Sequence, residues 1–251
     1  GHLVLGPASG EQACGDIGPG RMLEPMELVD SLERSIRPGP LAGRTVMITA
    51  GPTHEAIDPV RYLANRSSGK MGFALAEAAH RMGATVYLIT GPVSLSPPPG
   101  VHTVSVETAL EMQSAVEEHL AQVDWFIGAA AVCDARPKQV STAKLKKQSG
   151  ALERIELTEN PDIIQAVASH THRPTLVIGF AAETDEIATH AREKQVRKGL
   201  DAIVANDVSQ GQVFGQDHTA CRLLDHQGGD LEVSGTKSAV ADALLTHLLT
   251  L

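Results

Sequence analysis

The sequence predicts an α/β protein, with a Rossmann-like, mostly parallel sheet that carries helices on both faces and has a mobile flap. Apolar runs of strand length alternate with amphipathic helical patterns from residue 45 onward. This alternation is typical of β-α-β units, whose strands are parallel. Aromatic residues make up only 3% of the sequence, so Ala, Val, Ile and Leu must fill the core, as they do around buried parallel strands. Both observations favour an α/β fold over a β-sandwich.

The individual elements follow from these patterns. A strand at 45–50, a helix at 69–82 and a strand at 85–89 form the first β-α-β unit. The next helix is predicted to begin at Thr108, because Glu111 three residues later completes a capping box. Later elements are strands at 125–130, 175–180 and 201–205, a charged helix at 185–198, a hairpin at 222–233 and a helix at 240–248. Ligands of such sheets bind beyond the carboxyl ends of the strands, so function is expected in the loops there.

Residues 1–40 differ in composition from the rest of the chain. They are rich in Gly and Pro and contain one predicted helix, around 26–35, before the linker at 37–40. We therefore predict a domain boundary there, with a single α/β domain at 41–251. The chain begins with Gly1 rather than Met, which suggests a piece of a longer protein.

The composition argues against several classes of protein. A formal net charge of −9 is unfavourable for a general nucleic-acid surface, which needs basic patches. The three cysteines lie far apart without a CxxC pair, which supports neither a zinc knuckle nor a disulfide framework. No apolar run reaches the ~20 residues of a membrane span, and no signal peptide pattern opens the chain. A cytoplasmic location is therefore expected.

A Gly-rich loop after the first strand is the first candidate site. Its candidate residues are Gly51, Asn65, Ser67, Ser68, Gly69 and Gly72. Glycines let a backbone approach a phosphate, and the free N–H groups and dipole of a helix N-terminus favour the anion. The loop has neither Walker A nor GxGxxG spacing. A phosphate cradle and an ordinary Gly-rich helix start both fit it, and Asn65 taken alone fits a turn residue.

Two basic clusters are candidates for binding an anion opposite this loop. Lys144 opens a run of lysines that follows Asp134 and the small residues after strand 125–130. This run fits either a solvated loop or a mobile flap that closes over an anion. Lys194 and Lys198 are four residues apart on one helix, where like charges destabilise by about a few tenths of a kcal/mol. An anion between them and a solvated helix face explain this pair equally well.

Seven blocks together resemble the phosphopantothenoylcysteine synthetase family, in order and at matching spacing. They are residues 48–53, 65–72, 130–134, 144–147, 160–163, 179–183 and 205–207, and the resemblance covers about 41–251. Residues 13–16 and 18–22 resemble the end of phosphopantothenoylcysteine decarboxylase, the flavoprotein that precedes the synthetase in bacterial bifunctional enzymes. Cys14 matches its catalytic proton donor. We expect residues 1–40 to be an inactive remnant of that domain, with FMN belonging only to its missing body.

The resemblance implies a two-step ligation in coenzyme A biosynthesis. The carboxylate of 4'-phosphopantothenate would attack the α-phosphate of CTP and release pyrophosphate. The amine of cysteine would then capture the acyl-cytidylate and release CMP. Mg²⁺ would neutralise the triphosphate, and no covalent protein nucleophile is needed, because positioning and charge stabilisation carry the chemistry. CTP is inferred from the bifunctional arrangement; ATP is the alternative used by stand-alone relatives.

The resemblance also implies roles for individual residues. Asn65 would orient the carboxylate and the acyl-cytidylate, and Lys144 would close over the intermediate. Substrate contacts would come from Asn65, Ala130, Ala131 and Asp134. Nucleotide contacts would come from Gly51, Ser67, Ser68, Gly69, Gly72, Gly128, Ala129, Ala130, Asp134, Lys144, Asn160, Pro161, Asp162, Ile163, Phe180, Lys194 and Lys198.

A homodimer is the implied assembly, in which one subunit completes the other's site and residues 205–207 lie near the contact. The full-length protein would form a larger assembly through the missing flavoprotein domain. The sequence departs from the family at Cys133 and Ala135, where an alanine and an aromatic are expected. Cys133 fits either a reactive thiol beside the nucleotide or a buried inert one.

Two other functions compete with the ligase. A Rossmann dehydrogenase would need GxGxxG after the first strand and an acidic residue at the end of the second, where this chain has Thr90, Gly91 and Pro92. A nucleotide-sensing module without catalysis would differ from the enzyme only in turnover.

Overall fold

The structure is a computed structural model and describes residues 4–11, 16–36, 38–146, 154–183, 187–207 and 216–251. The strands are β1 (Ala8–Glu11), β2 (Ile17–Arg21), β3 (Thr45–Ala50), β4 (His54–Asp58), β5 (Arg61–Ala64), β6 (Thr85–Thr90), β7 (His102–Ser105), β8 (Trp125–Gly128), β9 (Ala135–Pro137), β10 (Leu157–Glu159), β11 (Leu176–Glu183), β12 (Ala202–Asp207), β13 (His218–Asp225) and β14 (Asp230–Thr236). The helices are α1 (Pro25–Ile36), α2 (Lys70–Arg81), α3 (Ala109–His119), α4 (Ile163–Ala168), α5 (Ile187–Lys198) and α6 (Lys237–Leu248), and Leu120–Gln122 adds a turn of 3₁₀ helix.

An eight-stranded sheet forms the centre of the fold, in the order β14-β13-β12-β11-β8-β3-β6-β7. The six strands from β12 to β7 are all parallel, and β13 and β14 add an antiparallel hairpin at one edge. The parallel part has the 3-2-1-4-5-6 order of a Rossmann fold, and its direction of growth reverses between β3 and β8. The predicted mostly parallel sheet and its hairpin are confirmed.

Helices cover both faces of this sheet, as predicted. Alternate residues of a strand point to opposite faces, so Ile48 packs in the core beneath α2 and α6, whereas Met47 packs in the core beneath α3, α4 and α5. The first layer contains Leu75 of α2 and Leu244 of α6, and the second contains Ala191 of α5. The two layers therefore have separate apolar cores on either side of one sheet.

Local signals placed several elements correctly. Strand β3 has the predicted bounds, and Thr108 begins α3 with both hydrogen bonds of the capping box to Glu111. Among the described residues, no helix is long and apolar enough to cross a membrane. The run of lysines predicted to form a mobile flap, 144–147, ends at the first residue of the segment 147–153, which lies outside the described part of the chain.

A hairpin formed by β4 and β5 was not predicted. The apolar alternation that identifies a strand is absent, because β4 contains the charged residues Glu55 and Asp58. Both are buried, and each accepts hydrogen bonds from main-chain N–H groups. Glu55 accepts a hydrogen bond from Ala109 N at the start of α3. Asp58 accepts from Val60 and Arg61 N in the turn between the strands. The hairpin thus inserts into the first crossover, between β3 and α2.

Candidate active site

A cleft of about 950 Å³ opens at the carboxyl ends of β3, β8, β11 and β12. Its floor includes Thr49, Gly128 and Phe180, and it lies where the strand order reverses. Open parallel sheets bind their ligands at this position, and the volume is in the range of small-molecule sites. The cleft is therefore the candidate active site.

The N-terminus of α2 forms one wall of the cleft. Gly69 caps the helix in the left-handed region, with φ 75°, and supplies no side-chain hydrogen bond to the helix N–H groups, while its own N–H donates to Ser67 Oγ at 3.3 Å. Ser67, Ser68, Gly69 and Gly72 all line the cleft. The first N–H groups of a helix lack partners within the helix. This wall therefore offers main-chain donors to an anion, as the phosphate-cradle interpretation requires.

Helix α2 approaches β3 closely at Gly72. A Cβ atom added at Gly72 would lie 2.5 Å from the Cβ of Ala50 and 3.2 Å from its Cα. Only glycine permits this distance between helix and strand, since neither backbone segment can yield without moving the other. The uncapped helix N-terminus is thereby held directly over the end of β3.

Replacing Gly72 by Ala is expected to lower the free energy of unfolding by about 1–3 kcal/mol, because the added methyl overpacks the contact with Ala50. The displaced α2 N-terminus should also bind nucleotide more weakly. Chemical denaturation and equilibrium binding would measure the two effects. A variant with wild-type stability would show that α2 can leave β3 without cost.

Two strand-end segments run side by side across the floor. Ala131 N donates to Gly51 O at 2.8 Å, and Pro52 and Ala131 form an isolated parallel bridge that continues the β3–β8 pairing. Cys133 N donates to the buried Thr53 hydroxyl at 3.0 Å. These bonds hold the small residues Ala129, Ala130 and Ala131 along the cleft, where a planar group can lie against the backbone.

Two asparagines secure the same segment from either side. Asn65 donates its side-chain amide to Val132 O at 2.9 Å, and Asn160 donates its amide to Cys133 O at 2.9 Å. The carbonyl of the Asn160 side chain accepts from Arg136. Asn160 thus uses both ends of its amide within the protein, so its contribution to a ligand site is to position the segment that ends at Asp134.

Cys133 is 5% exposed, and its thiol contacts Thr53 O at 3.7 Å. Burial raises the pKa of the Cys133 thiol, which keeps it protonated at neutral pH. The structure shows that the Cys133 thiol is buried, and its inertness stays a prediction.

Helix α5 supplies basic side chains to the opposite wall. Lys194 and Lys198 both line the cleft, so they do not form a solvated helix face. The ammonium of Lys198 lies 2.6 Å from Asp162 Oδ2, and Asp162 also caps α4 by accepting from Gln165 N. An anionic ligand would therefore compete with Asp162 for Lys198.

The cleft lining carries more positive than negative side chains, unlike the whole chain. The lining contains five cationic side chains and three carboxylates, although the chain carries a net charge of −9. The cationic residues are Arg66, Lys70, Lys194, Lys198 and Lys237, and the carboxylates are those of Asp134, Glu159 and Asp162. The cleft is thus a local site for anions on an acidic protein.

Comparison with known proteins decides the family. The model of the DNA/pantothenate metabolism flavoprotein C-terminal domain matches residues 41–251. The chain belongs to this family.

Relatives of this flavoprotein C-terminal family are similar over most of the chain. The "Coenzyme A biosynthesis bifunctional protein CoaBC" of Vibrio cholerae is 51% identical over 251 residues, which cover 99% of this chain and 63% of that protein. A crystal structure of the C-terminal domain of a CoaBC protein superposes with a TM-score of 0.72 at 39% identity, covering 84% of this chain and 97% of that one. A Cab2 mutant in complex with phosphopantothenate-cysteine has the same fold, with a TM-score of 0.67 at 15% identity over 88% of this chain and 89% of that one. The chain thus spans less than two thirds of the length of its bifunctional relative.

Most of the residues predicted for the site of this family member lie together in the cleft. The lining contains Asn65, Ser67, Ser68, Gly69, Gly72, Gly128, Ala129, Ala130, Ala131, Asp134, Asn160, Pro161, Asp162, Ile163, Phe180, Lys194 and Lys198. Two predicted residues, Gly51 and Lys144, are not in the lining. Gly51 instead supports the floor through its carbonyl, with φ 73°. Cys14 lies outside the described residues, and the ligand roles assigned to all these positions stay predictions.

Lys144 is exposed, in a loop tethered beside the β4–β5 hairpin. The next residue, Leu145, donates its N–H to Asp58 Oδ2 at 3.1 Å and accepts at its carbonyl from Arg61 Nη2 at 3.2 Å. Burial alone would raise the pKa of Asp58, but hydrogen bonds from the N–H groups of Val60, Leu145 and Arg61 and the nearby guanidinium lower it. A buried, charged carboxylate thus anchors the loop that carries Lys144.

Sequence reasoning missed several residues of this flavoprotein family site. Lys70 and Lys237 line the cleft as the first residues of α2 and α6, and Arg66, Asn206 and Thr219 line it as well. Lys70 lies in the first turn of the helix predicted at 69–82, whereas Lys237 lies three residues before the helix predicted at 240–248. Without the strand order, nothing indicated that both helix starts meet at one cleft.

Proposed function

We propose that the chain is a phosphopantothenoylcysteine synthetase domain. It joins 4'-phosphopantothenate to cysteine through an acyl-cytidylate, using CTP and releasing CMP and pyrophosphate, in coenzyme A biosynthesis. The observation that carries the proposal is the cleft itself, where an uncapped helix N-terminus and the lysines of α5 face each other across a floor of small residues. The membership of the family and the names of its bifunctional relatives support the same assignment.

In this proposal the residues act by binding and orientation. The α2 N-terminus and the lysines of α5 bind the phosphates of the nucleotide, which brings the α-phosphate to the floor of the cleft. Asn65 lies at the edge of this floor and orients the carboxylate that attacks. Cysteine then attacks the acyl carbon, and charge on the departing CMP is neutralised by the basic lining.

Mg²⁺ is proposed to accompany the triphosphate. The described residues contain no group of three His, Cys, Asp or Glu side chains that could hold a metal ion. Mg²⁺ commonly enters nucleotide sites on the phosphates and keeps several waters. In this proposal Mg²⁺ would be held by the phosphates of the nucleotide and by water.

The dehydrogenase alternative lacks its structural requirement. A dinucleotide site needs a tight glycine turn directly between the first strand and its helix. Here the β4–β5 hairpin separates β3 from α2, and the second parallel strand ends at Thr90 without an acidic residue. The Rossmann order of the sheet thus supports a different nucleotide site.

Pyrophosphate release from CTP tests the proposal. Release should require both 4'-phosphopantothenate and Mg²⁺, and product formation should require cysteine in addition. ATP in place of CTP would measure the preference between nucleotides. Nucleotide binding with no pyrophosphate release under any combination would instead identify a sensing module.

The lysines of α5 provide a second measurement. Lys194→Gln and Lys198→Gln should each raise the KM for nucleotide by about tenfold, because a charge-assisted contact is lost, and should affect the KM for cysteine less. Arg197→Gln is the matched control, since Arg197 is exposed on the same helix and outside the cleft lining. Equal effects on both substrates would argue against a nucleotide contact.

A homodimer in which one subunit completes the other's site is also proposed, with residues 205–207 near the contact. Asn206 lies in the cleft lining, so a partner near this segment would be close to a bound ligand. The full-length protein would form a larger assembly through its flavoprotein domain. Full activity of a monomer at assay concentration would refute the shared site.

A further inference from the structure

Lys237 is a buried lysine on the wall of the cleft. Only 9% of the residue is exposed, and every other lysine in the described part of the chain is more exposed than Lys237. Its ammonium donates to the main-chain carbonyl of Gln216. Within the described part of the chain, no carboxylate lies within 4.0 Å of it. Lys237 thus contributes to the cleft a positive charge that forms no ion pair with any described residue.

Burial of an uncompensated charge is unfavourable. Desolvation lowers the pKa of Lys237, and the neighbouring Lys70 ammonium lowers it further, while Asp217 acts in the opposite direction. A phosphate at this position would supply the missing negative charge. The unfavourable burial in the unliganded protein thereby favours binding of an anion.

The topology brings Lys237 and Lys70 together. Helices α2 and α6 pack against each other on one face of the sheet. Strand β14 is parallel to β12, because each is antiparallel to β13, so α6 begins at the same edge of the sheet as α2. Lys70 and Lys237 thus form a pair of lysines at the starts of two helices. It enters the cleft from the face opposite to α5, which carries Lys194 and Lys198.

Asp217 contacts both lysines of this pair. Its carboxylate lies 2.6 Å from the ammonium of Lys70, and its carbonyl accepts the N–H of Lys237. The hydrogen bond from Lys70 lowers the pKa of Asp217, so it is charged at neutral pH. The exposed Asp217 carboxylate occupies Lys70, while Lys237 retains only a neutral carbonyl partner.

We propose that Lys237, together with Lys70, binds a phosphate group of a ligand in the cleft. This inference rests on the proposed function, in which two ligands carry phosphate groups: the nucleotide at its triphosphate and 4'-phosphopantothenate at its terminal phosphate. The shared chemistry is a phosphate dianion held between the starts of two helices. The lysines of α5 bind from the opposite wall.

Calorimetry with inorganic tripolyphosphate and, separately, with 4'-phosphopantothenate tests the inference. Lys237→Met keeps the length and burial of the side chain and removes its charge, so it should weaken binding of one of these anions by about tenfold. Loss with tripolyphosphate assigns the pair to the nucleotide, and loss with 4'-phosphopantothenate assigns it to that substrate. Lys138→Met is the control, because Lys138 is exposed and outside the cleft lining. Wild-type affinity for both anions would overturn the inference.

A second variant decides the question if Lys237→Met does not fold. Asp217→Asn removes the exposed carboxylate that competes for Lys70, so it should tighten binding of the same anion severalfold. Unchanged affinity in this variant would overturn the inference. These measurements need no turnover, and therefore a wild-type protein that binds the anions without releasing pyrophosphate would refute the proposed function and leave the role of Lys237 intact.

Discussion

Replacing Lys144 by Gln should lower turnover about a hundredfold, as loss of one preorganised electrostatic donor does elsewhere. The free energy of unfolding should change by no more than about 0.5 kcal/mol, because Lys144 is exposed. The expected defect lies in the second step, where the side chain would contact the acyl-cytidylate. The intermediate should therefore accumulate in the variant.

The tether beside Lys144 explains how an exposed lysine can act at a fixed place. Leu145 is bound through both its N–H and its carbonyl to Asp58 and Arg61, so the backbone beside Lys144 is anchored while its side chain is exposed. Steady-state turnover, thermal melting and a chemical quench for acyl-cytidylate would measure the effect. Lys146→Gln, in an exposed lysine of the same loop, should cause a smaller loss. Normal turnover with a normal melt would eliminate the proposed role, and a large loss of stability would make Lys144 structural.

Replacing Asp58 by Ala should lower the free energy of unfolding by about 1–3 kcal/mol, the range for leaving buried hydrogen-bond donors without their acceptor. The Asp58 side chain is 0% exposed, and its carboxylate accepts three main-chain N–H groups. Arg61 Nη1 lies 3.3 Å from Asp58 Oδ2 and is already a buried nitrogen without hydrogen-bond geometry to any described partner. Removing the carboxylate leaves three main-chain N–H groups without their acceptor and takes away the charge partner of Arg61, whose side chain is 33% exposed.

Chemical denaturation would measure the loss. Asp230→Ala is the matched control, because Asp230 is a partly exposed partner of Arg222 and its loss should cost no more than about 1 kcal/mol.

The pH dependence of the free energy of unfolding tests the role of Asp58 independently. Since the pKa of Asp58 is lowered in the folded state, its contribution is present above the pKa of the unfolded chain and is lost as pH falls through the folded value. The difference in stability between wild type and Asp58→Ala should therefore shrink below about pH 4. A constant difference down to strongly acidic pH would contradict this origin.

The sequence was sufficient for elements whose signal is local. Strand β3 is a short apolar run between polar residues, and the capping box at Thr108 needs only Glu111 three positions later. The loops that follow strands were correctly expected to form the site, because parallel strands end at one edge of a sheet, whereas most individual contacts were implied by the family resemblance. These predictions needed no knowledge of which strands are neighbours.

Features that depend on distant contacts escaped prediction. Strand β4 was not predicted because its sequence is polar. Glu55 and Asp58 are nevertheless buried in it, and they accept hydrogen bonds from Ala109 and Leu145, which are far away in sequence. Lys237 lies three residues before the helix predicted at 240–248, and no local pattern marks it as a buried residue. Its burial and its position beside Lys70 arise from the packing of α6 on α2, which requires the antiparallel hairpin to return the chain to the same edge.

The two walls of the cleft belong to different apolar layers. Lys194 and Lys198 project from the layer whose core contains Phe126, whereas Lys70 and Lys237 project from the layer that contains Leu244. A single anion held from both walls would act as a brace across the top of the sheet, and a ligand that binds only the folded state adds its binding free energy to stability. Unfolding of either helical layer away from the sheet would then break the contacts of the ligand. The bound ligand would therefore couple the unfolding of one layer to that of the other.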